Sequence, residues 1–181
     1  MNITVFGGSQ PRENDLAYRE AYHLGNLLAR AGHAVITGGY IGTMEAVSKG
    51  ASEAGGHVIG VTCEEIERWR PVKPNPWVKE ERRFATLQER LNALIQGCDA
   101  AIALPGGPGT LTEIALMWNL MIVESLPRKP LVLIGEGWQA VLNQLTLSFS
   151  DFIPERQREF IQFAVDVESA AIMVEYKYDS K

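Results

Sequence analysis

The sequence predicts an α/β fold, a doubly wound parallel sheet with helices on both faces. Three observations carry that prediction. Short β-rich apolar runs alternate strictly with helix-patterned stretches, the order expected of repeated βαβ units. The runs are apolar throughout rather than at every second residue, as in parallel strands covered on both faces. The chain has 181 residues, which suits one domain over residues 1–181, since single cores usually serve ~100–200 residues.

The elements follow in order. Residues 3–6 form a strand that ends in Gly7-Gly8-Ser9, and 15–31 are helical; 33–37 form a strand ending in Gly38-Gly39, and 43–54 are helical. A third strand, 57–62, stops at Cys63. The rhythm then breaks at Arg70-Pro-Val-Lys-Pro-Asn-Pro-Trp77, whose three prolines forbid regular helix; it reads either as a surface connection or as a mobile flap over a site. Helix 86–97 carries a core stripe at Leu87, Leu91, Leu94 and Ile95. Strand 100–104, helix 110–126, strand 130–134, helix 138–149 and a weaker strand at 163–167 complete the pattern. Residues 176–181 read as a frayed tail.

Charge and composition exclude several classes. Lys+Arg number 17 and Asp+Glu 22, so the net charge is 17 − 22 = −5, with a pI near 5.3. Spread acidity of this kind argues against a nucleic-acid partner bound through phosphate neutralisation. No run approaches the ~18 apolar residues of a membrane span, and the N-terminus lacks the basic lead of a signal peptide. A soluble, cytoplasmic protein is expected. Cys63 and Cys98 form no CxxC pair and sit in no ligand-type cluster; they read as small core residues in a reducing compartment, and no metal site is expected.

The glycines are the informative part of the composition. In an open parallel sheet, ligands bind beyond the carboxyl ends of the strands, and three glycine clusters fall there: Gly7-Gly8-Ser9, Gly38-Gly39-Tyr40-Ile41-Gly42-Thr43 and Pro105-Gly106-Gly107-Pro108-Gly109-Thr110. Glycine lets backbone approach a ligand closely, and a helix start attracts an anion. One such loop would be an ordinary tight turn, whereas three on one edge describe a Rossmann-like pocket for a phosphate-bearing small molecule. Neither the dinucleotide pattern G-x-G-x-x-G at the first strand exit nor the Walker A pattern occurs, which lowers NAD-dependent dehydrogenases, kinases and NTPases.

Two charged residues near helix starts have competing readings. Thr110 and Glu113 fit a capping box, as do Thr86 and Glu89. The helix beyond Glu113 is apolar nearly all round and therefore expected to be buried, which would turn that carboxylate toward a ligand. Arg90 lies one step off the stripe of its helix and reads on spacing alone as a solvated arginine. Met117, Trp118, Met121 and Ile122 exceed what one core face needs, or simply fill it; the first alternative would supply a dimer contact.

The run Pro105-Gly106-Gly107-Pro108-Gly109-Thr110-Leu111-Thr112-Glu113 resembles the PGGxGTxxE signature of the Lonely Guy (LOG) family of nucleotide phosphoribohydrolases, often labelled lysine decarboxylases. The resemblance extends over most of the chain, through Gly8-Ser9, Gly25, Leu28-Ala29, Gly38-Gly39, Gly42, Met44 and 51–55. It implies hydrolysis of the N-glycosidic bond of a nucleoside 5′-monophosphate, including cytokinin types, to free base and ribose 5-phosphate, with no cofactor. It implies that Arg90 and Glu113 are catalytic, and that the phosphate rests on amides of residues 107–110, helped by Thr43 and Ser9. It also implies a homodimer. Lysine decarboxylase chemistry is not expected, because no lysine lies near a glycine loop except Lys49, well along its helix. Where the family has Met-His-x-Arg-Lys, this chain has Leu87-Gln88-Glu89-Arg90-Leu91, and Tyr40 stands where the family prefers a third glycine, either to stack on a base or pterin or to narrow the pocket. A second function class shares the PGGxGT loop: a non-catalytic carrier of a nucleotide or of molybdenum cofactor.

Overall fold

The computed structural model describes residues 1–175; the tail expected at 176–181 lies outside the described residues. Seven strands, β1 (Asn2–Phe6), β2 (Ala34–Thr37), β3 (Val58–Cys63), β4 (Glu80–Phe84), β5 (Ala100–Ala103), β6 (Leu131–Ile134) and β7 (Gln162–Ala164), form one sheet in the order β4-β3-β2-β1-β5-β6-β7. Every pairing is parallel. The doubly wound, Rossmann-like arrangement expected from the alternating pattern is therefore present. The chain order reverses at β1, which pairs with β2 on one side and β5 on the other. That reversal opens a crevice between the loops leaving β1 and β5.

Why the strands read as unbroken apolar runs is visible in the packing. Ile3 and Val5 face one core cluster while Phe6 faces the other, and Val132 and Ile134 part from Leu131 and Leu133 in the same way. Helices α1 (Leu16–Arg30), α2 (Thr43–Glu53) and α8 (Val167–Met173) cover the first face; α4 (Leu87–Gln96), α5 (Pro108–Ile122) and α6 (Glu136–Ser148) cover the second. Met117, Trp118 and Met121 are buried in the second cluster and Ile122 packs against it, so the apolar excess on α5 is used within the chain and is no sign of a dimer. Cys63 and Cys98 are both buried and free.

Elements that the sequence pattern misses lie at the margins. β4 was not expected: it is an edge strand whose Glu81 and Arg83 are exposed, and edge strands use such charge to block further pairing. The short α3 (Glu64–Trp69) follows β3 without a break, and α7 (Glu155–Arg158) and α8 are likewise additions. The final strand stops at Ala164, two residues before the Asp166 cap of α8.

The proline-rich loop is a surface connection from α3 to β4, exposed at Pro71, Lys73 and Pro76 and anchored at Asn75. Asn75 is 6% exposed. Its backbone amide donates to Gly39 O at 2.8 Å, and its Nδ2 donates to Gly39 O at 3.0 Å and to Tyr40 O at 2.9 Å. Those bonds pin the loop to the second glycine cluster.

Candidate functional site

Arg90 enters the site because α4 is held at its start. Thr86 caps the helix in a reciprocal capping box with Glu89, and one turn on, Arg90 points inward with 5% of its surface exposed. The reading as a solvated arginine is overturned: Nε donates to Val61 O at 2.8 Å and Nη2 to Gly38 O at 3.3 Å. The guanidinium lies 5.8 Å from the centre of the Tyr40 ring. Two of its three nitrogens are thus committed to backbone carbonyls, and Nη1 is the one left toward Glu113.

Glu113 is not a capping residue. α5 begins at Pro108 with Gly107 as its cap, two residues before the start expected at Thr110, which moves Glu113 into the second turn. The signal was present, since proline is favoured at the first helical position. Glu113 is 8% exposed, and its Oε1 lies 3.8 Å from Arg90 Nη1, longer than a hydrogen bond. Burial pushes its pKa up to about 7, with the nearby Arg90 charge pulling the other way.

The two residues share a cavity of about 540 Å³. Gly7, Gly8, Ser9 and Gln10 from the β1 exit line it, with Gly107, Pro108, Gly109 and Thr110 from the β5 exit. At the start of α5 the first-turn amides have no intrahelical acceptor; Pro108 carries no N–H, so Gly107, Gly109 and Thr110 supply the donors. A Cβ built on Gly107 or Gly109 would meet nothing within 4 Å. The protein's own packing therefore does not require glycine at these positions, and the space beside them belongs to the cavity.

The remaining predicted residues build the frame. Gly38 has no room for a side chain, because a Cβ would run into the Arg90 guanidinium and the Met44 sulfur. Gly42 has φ of 77° and lies against Gly8 and Ser9. Thr43 is buried and its hydroxyl donates to Gly8 O at 3.0 Å, so it stitches two loops together instead of lining the cavity. Gly8 N donates to Pro105 O at 3.3 Å, and Gly39 accepts the Asn75 bonds. Pro105 and Gly106 line a separate apolar cavity of about 230 Å³ beside Trp138. Tyr40 touches the main cavity but is 1% exposed, which leaves it almost no ring surface on which a base could stack. Its hydroxyl accepts from Cys63 N at 2.8 Å and lies 3.2 Å from Glu67 Oε1, and burial pushes its pKa up to about 12.

The sequence reading missed Ile66 and Trp69 of α3 as a cavity wall. It set Leu87 and Leu91 in the core stripe, whereas both line the cavity and Leu87 is exposed; Arg70 entered only as the first residue of a loop read as a connection or a flap. The rule that every loop beyond a strand's carboxyl end reaches the same edge would have found this wall, had the segment after Cys63 been followed. Among the described residues there is no cluster of His, Cys, Asp and Glu able to hold a metal, and no helix long and apolar enough to cross a membrane.

Comparison with known proteins fits this geometry. Residues 1–147 match the SLOG cluster4 family. A rice protein named a probable cytokinin riboside 5′-monophosphate phosphoribohydrolase is 32% identical over 178 residues, 92% of this chain and 74% of its own. An Arabidopsis thaliana cytokinin riboside 5′-monophosphate phosphoribohydrolase is 34% identical over 128 residues, covering 69% of this chain and 59% of the relative. Among solved structures, the molybdenum cofactor binding protein of the phototrophic bacterium Rippkaea orientalis superposes with a TM-score of 0.73 at 26% identity, over 96% of this chain and 94% of that one. With its signature loop at the β5 exit and a family match spanning most of its length, the chain belongs to the SLOG cluster4 family and to the wider LOG family.

Proposed function

We propose that the protein hydrolyses the N-glycosidic bond of a nucleoside 5′-monophosphate, releasing a free base and ribose 5-phosphate. The observation that carries this reading is the buried Arg90–Glu113 pair, 3.8 Å apart, in one cavity with the open amides of α5. The 5′-phosphate rests on the amides of Gly107, Gly109 and Thr110, near Ser9, and its binding energy positions the sugar. As the C1′–N bond breaks, its electron pair leaves with the base and the sugar becomes cation-like. Glu113, when ionised, stabilises that cation and takes a proton from the water that adds to C1′; that proton balances the one the base nitrogen gains as it leaves, so Glu113 returns to its ionised form. A pKa near 7 suits this exchange, because the same group can hold a proton or release it at neutral pH. Arg90 holds Glu113 in place and offers Nη1 to charge on the departing base.

Incubation with AMP, GMP, CMP and isopentenyl-AMP, with assay of free base, tests the reading. Release that disappears in Arg90→Ala and Glu113→Ala is expected; no release above those variants overturns it. The likeness to a molybdenum cofactor binding protein over nearly the whole chain favours a second reading, a carrier on the same fold. Retention of a phosphorylated pterin or nucleotide through purification, without turnover, would select it.

A cytoplasmic homodimer completes the proposal. Val141, Leu145 and Phe149 on α6 and its end are exposed and spaced along one helical face, apolar surface that a second copy could cover. Sedimentation showing a monomer at micromolar concentration removes the dimer.

A further inference from the structure

The third wall of the cavity has no part in bond cleavage. β3 runs straight into α3, which brings Ile66, Trp69 and, just past its end, Arg70 to the cavity. β3 lies two strands from β1 and three from β5, about 10–14 Å at the usual strand spacing. That distance is the reach of a nucleoside monophosphate from its phosphate to its base.

The two side chains on this wall with polar groups, Trp69 and Arg70, touch each other and make no side-chain hydrogen bond or ion pair among the described residues. Trp69 keeps 79% of its surface exposed, and the Arg70 guanidinium lies 5.5 Å from its ring centre. Among the described residues, Arg70 Nε is buried with no hydrogen-bond partner, and no carboxylate pairs with the guanidinium. This happens on a strongly acidic helix whose carboxylates are all engaged elsewhere. Glu65 accepts from Leu87 N at 2.8 Å, Glu67 pairs with Arg83 Nη2 at 2.7 Å, and Glu64 lies 3.8 Å from Arg83 Nε. The Arg70 guanidinium reaches the cavity with neither Nη hydrogen-bonded among the described residues, and a cation left without a counter-charge favours a ligand that brings acceptors to those two nitrogens.

We infer that Trp69 and Arg70 determine base specificity, and that they select a fused ring carrying a carbonyl beside a ring-nitrogen acceptor, as in a 6-oxopurine. The inference rests on the nucleotide-binding reading of the site. Guanidinium is a donor only. Guanine and hypoxanthine offer O6 and N7 to its fork, whereas adenine sets an N6 donor against it. The exposed indole supplies a stacking face for the ring. A pterin presents the same carbonyl-and-nitrogen edge, so the shared chemistry covers both a nucleotide and a phosphorylated pterin.

The test measures kcat/KM for base release from GMP, IMP and AMP in the wild type, Arg70→Met, Trp69→Phe and Trp69→Ala. GMP and IMP should exceed AMP by about tenfold or more, the worth of a good bidentate contact. Arg70→Met should collapse that ratio to within about threefold. Trp69→Ala should raise KM for every purine, with Trp69→Phe restoring most of it. A wild-type preference for AMP, or a ratio indifferent to Arg70, overturns the inference while leaving hydrolysis standing. If nothing is hydrolysed, calorimetry with GMP, AMP and neopterin monophosphate decides separately. Arg70-dependent preference for GMP or the pterin phosphate over AMP upholds the inference although the hydrolase reading has failed, and equal affinities overturn it.

Discussion

Where the cavity meets the exits of β1 and β5 its lining includes the glycines Gly7, Gly8, Gly107 and Gly109, the last two with open space where a side chain would stand, while at the exit of β3 it is lined by Ile66, Trp69 and Arg70. The first end can hold a phosphate with amides that any residue but proline carries, provided no side chain intrudes. The second can hold a ring only through the particular groups present. In the proposed reading the contrast separates two kinds of contact: the anion seat would belong to the fold, and the base seat to this sequence.

The largest expected effect lies between the two ends, where Arg90→Ala or Glu113→Gln should lower kcat by about 10²–10³-fold, the usual cost of one electrostatic group at a reacting centre. A loss confined to KM would move the pair out of catalysis and into binding. Gly107→Val comes next. Its side chain meets no protein atom near Cβ, so the thermal midpoint should hold while affinity for every nucleotide and for ribose 5-phosphate falls by about tenfold or more. Unchanged affinity would break the claim that the backbone end seats the phosphate.

A smaller effect follows from Glu113. Its pKa is raised from an ordinary 4.5 to about 7, so between those values the folded chain keeps a proton that the unfolded chain has lost. Stability therefore falls as pH rises through that window and levels off above it. Glu113→Gln removes the titration, and denaturant unfolding should show it no more stable than wild type at pH 4 but more stable at pH 8 by about 3 kcal/mol. The smallest change is Thr86→Ala, which removes the cap of α4 and should cost about 1 kcal/mol, read as a lower midpoint in the same unfolding experiment.

How much of this was legible in the sequence follows the same division. The glycine loops and their place on one edge could be read because strand exits and glycine clusters coincide. The pairing of Arg90 with Glu113 came through the resemblance carried by the signature loop; spacing alone pointed Arg90 to solvent and left Glu113 between a helix cap and a carboxylate facing a ligand. β4 was illegible because the Glu-Glu-Arg-Arg of an exposed edge has no apolar run to detect. The cavity wall from α3 was hidden for a related reason: α3 is a six-residue helix with no buried residue, so hydrophobic periodicity passes over it. Tyr40 could be placed near the site but not oriented, since whether a ring stacks on a ligand or lies beneath an arginine depends on α3 and α4 packing over it.

The contact between Gly38 and Arg90 binds two positions 52 residues apart into one unit of inheritance. A lineage that keeps the arginine in this pose cannot accept even a methyl at position 38, while one that has lost it is released from glycine there. Reading those two positions together therefore sorts related chains into those that retain this geometry and those that have abandoned it, before any of them is assayed.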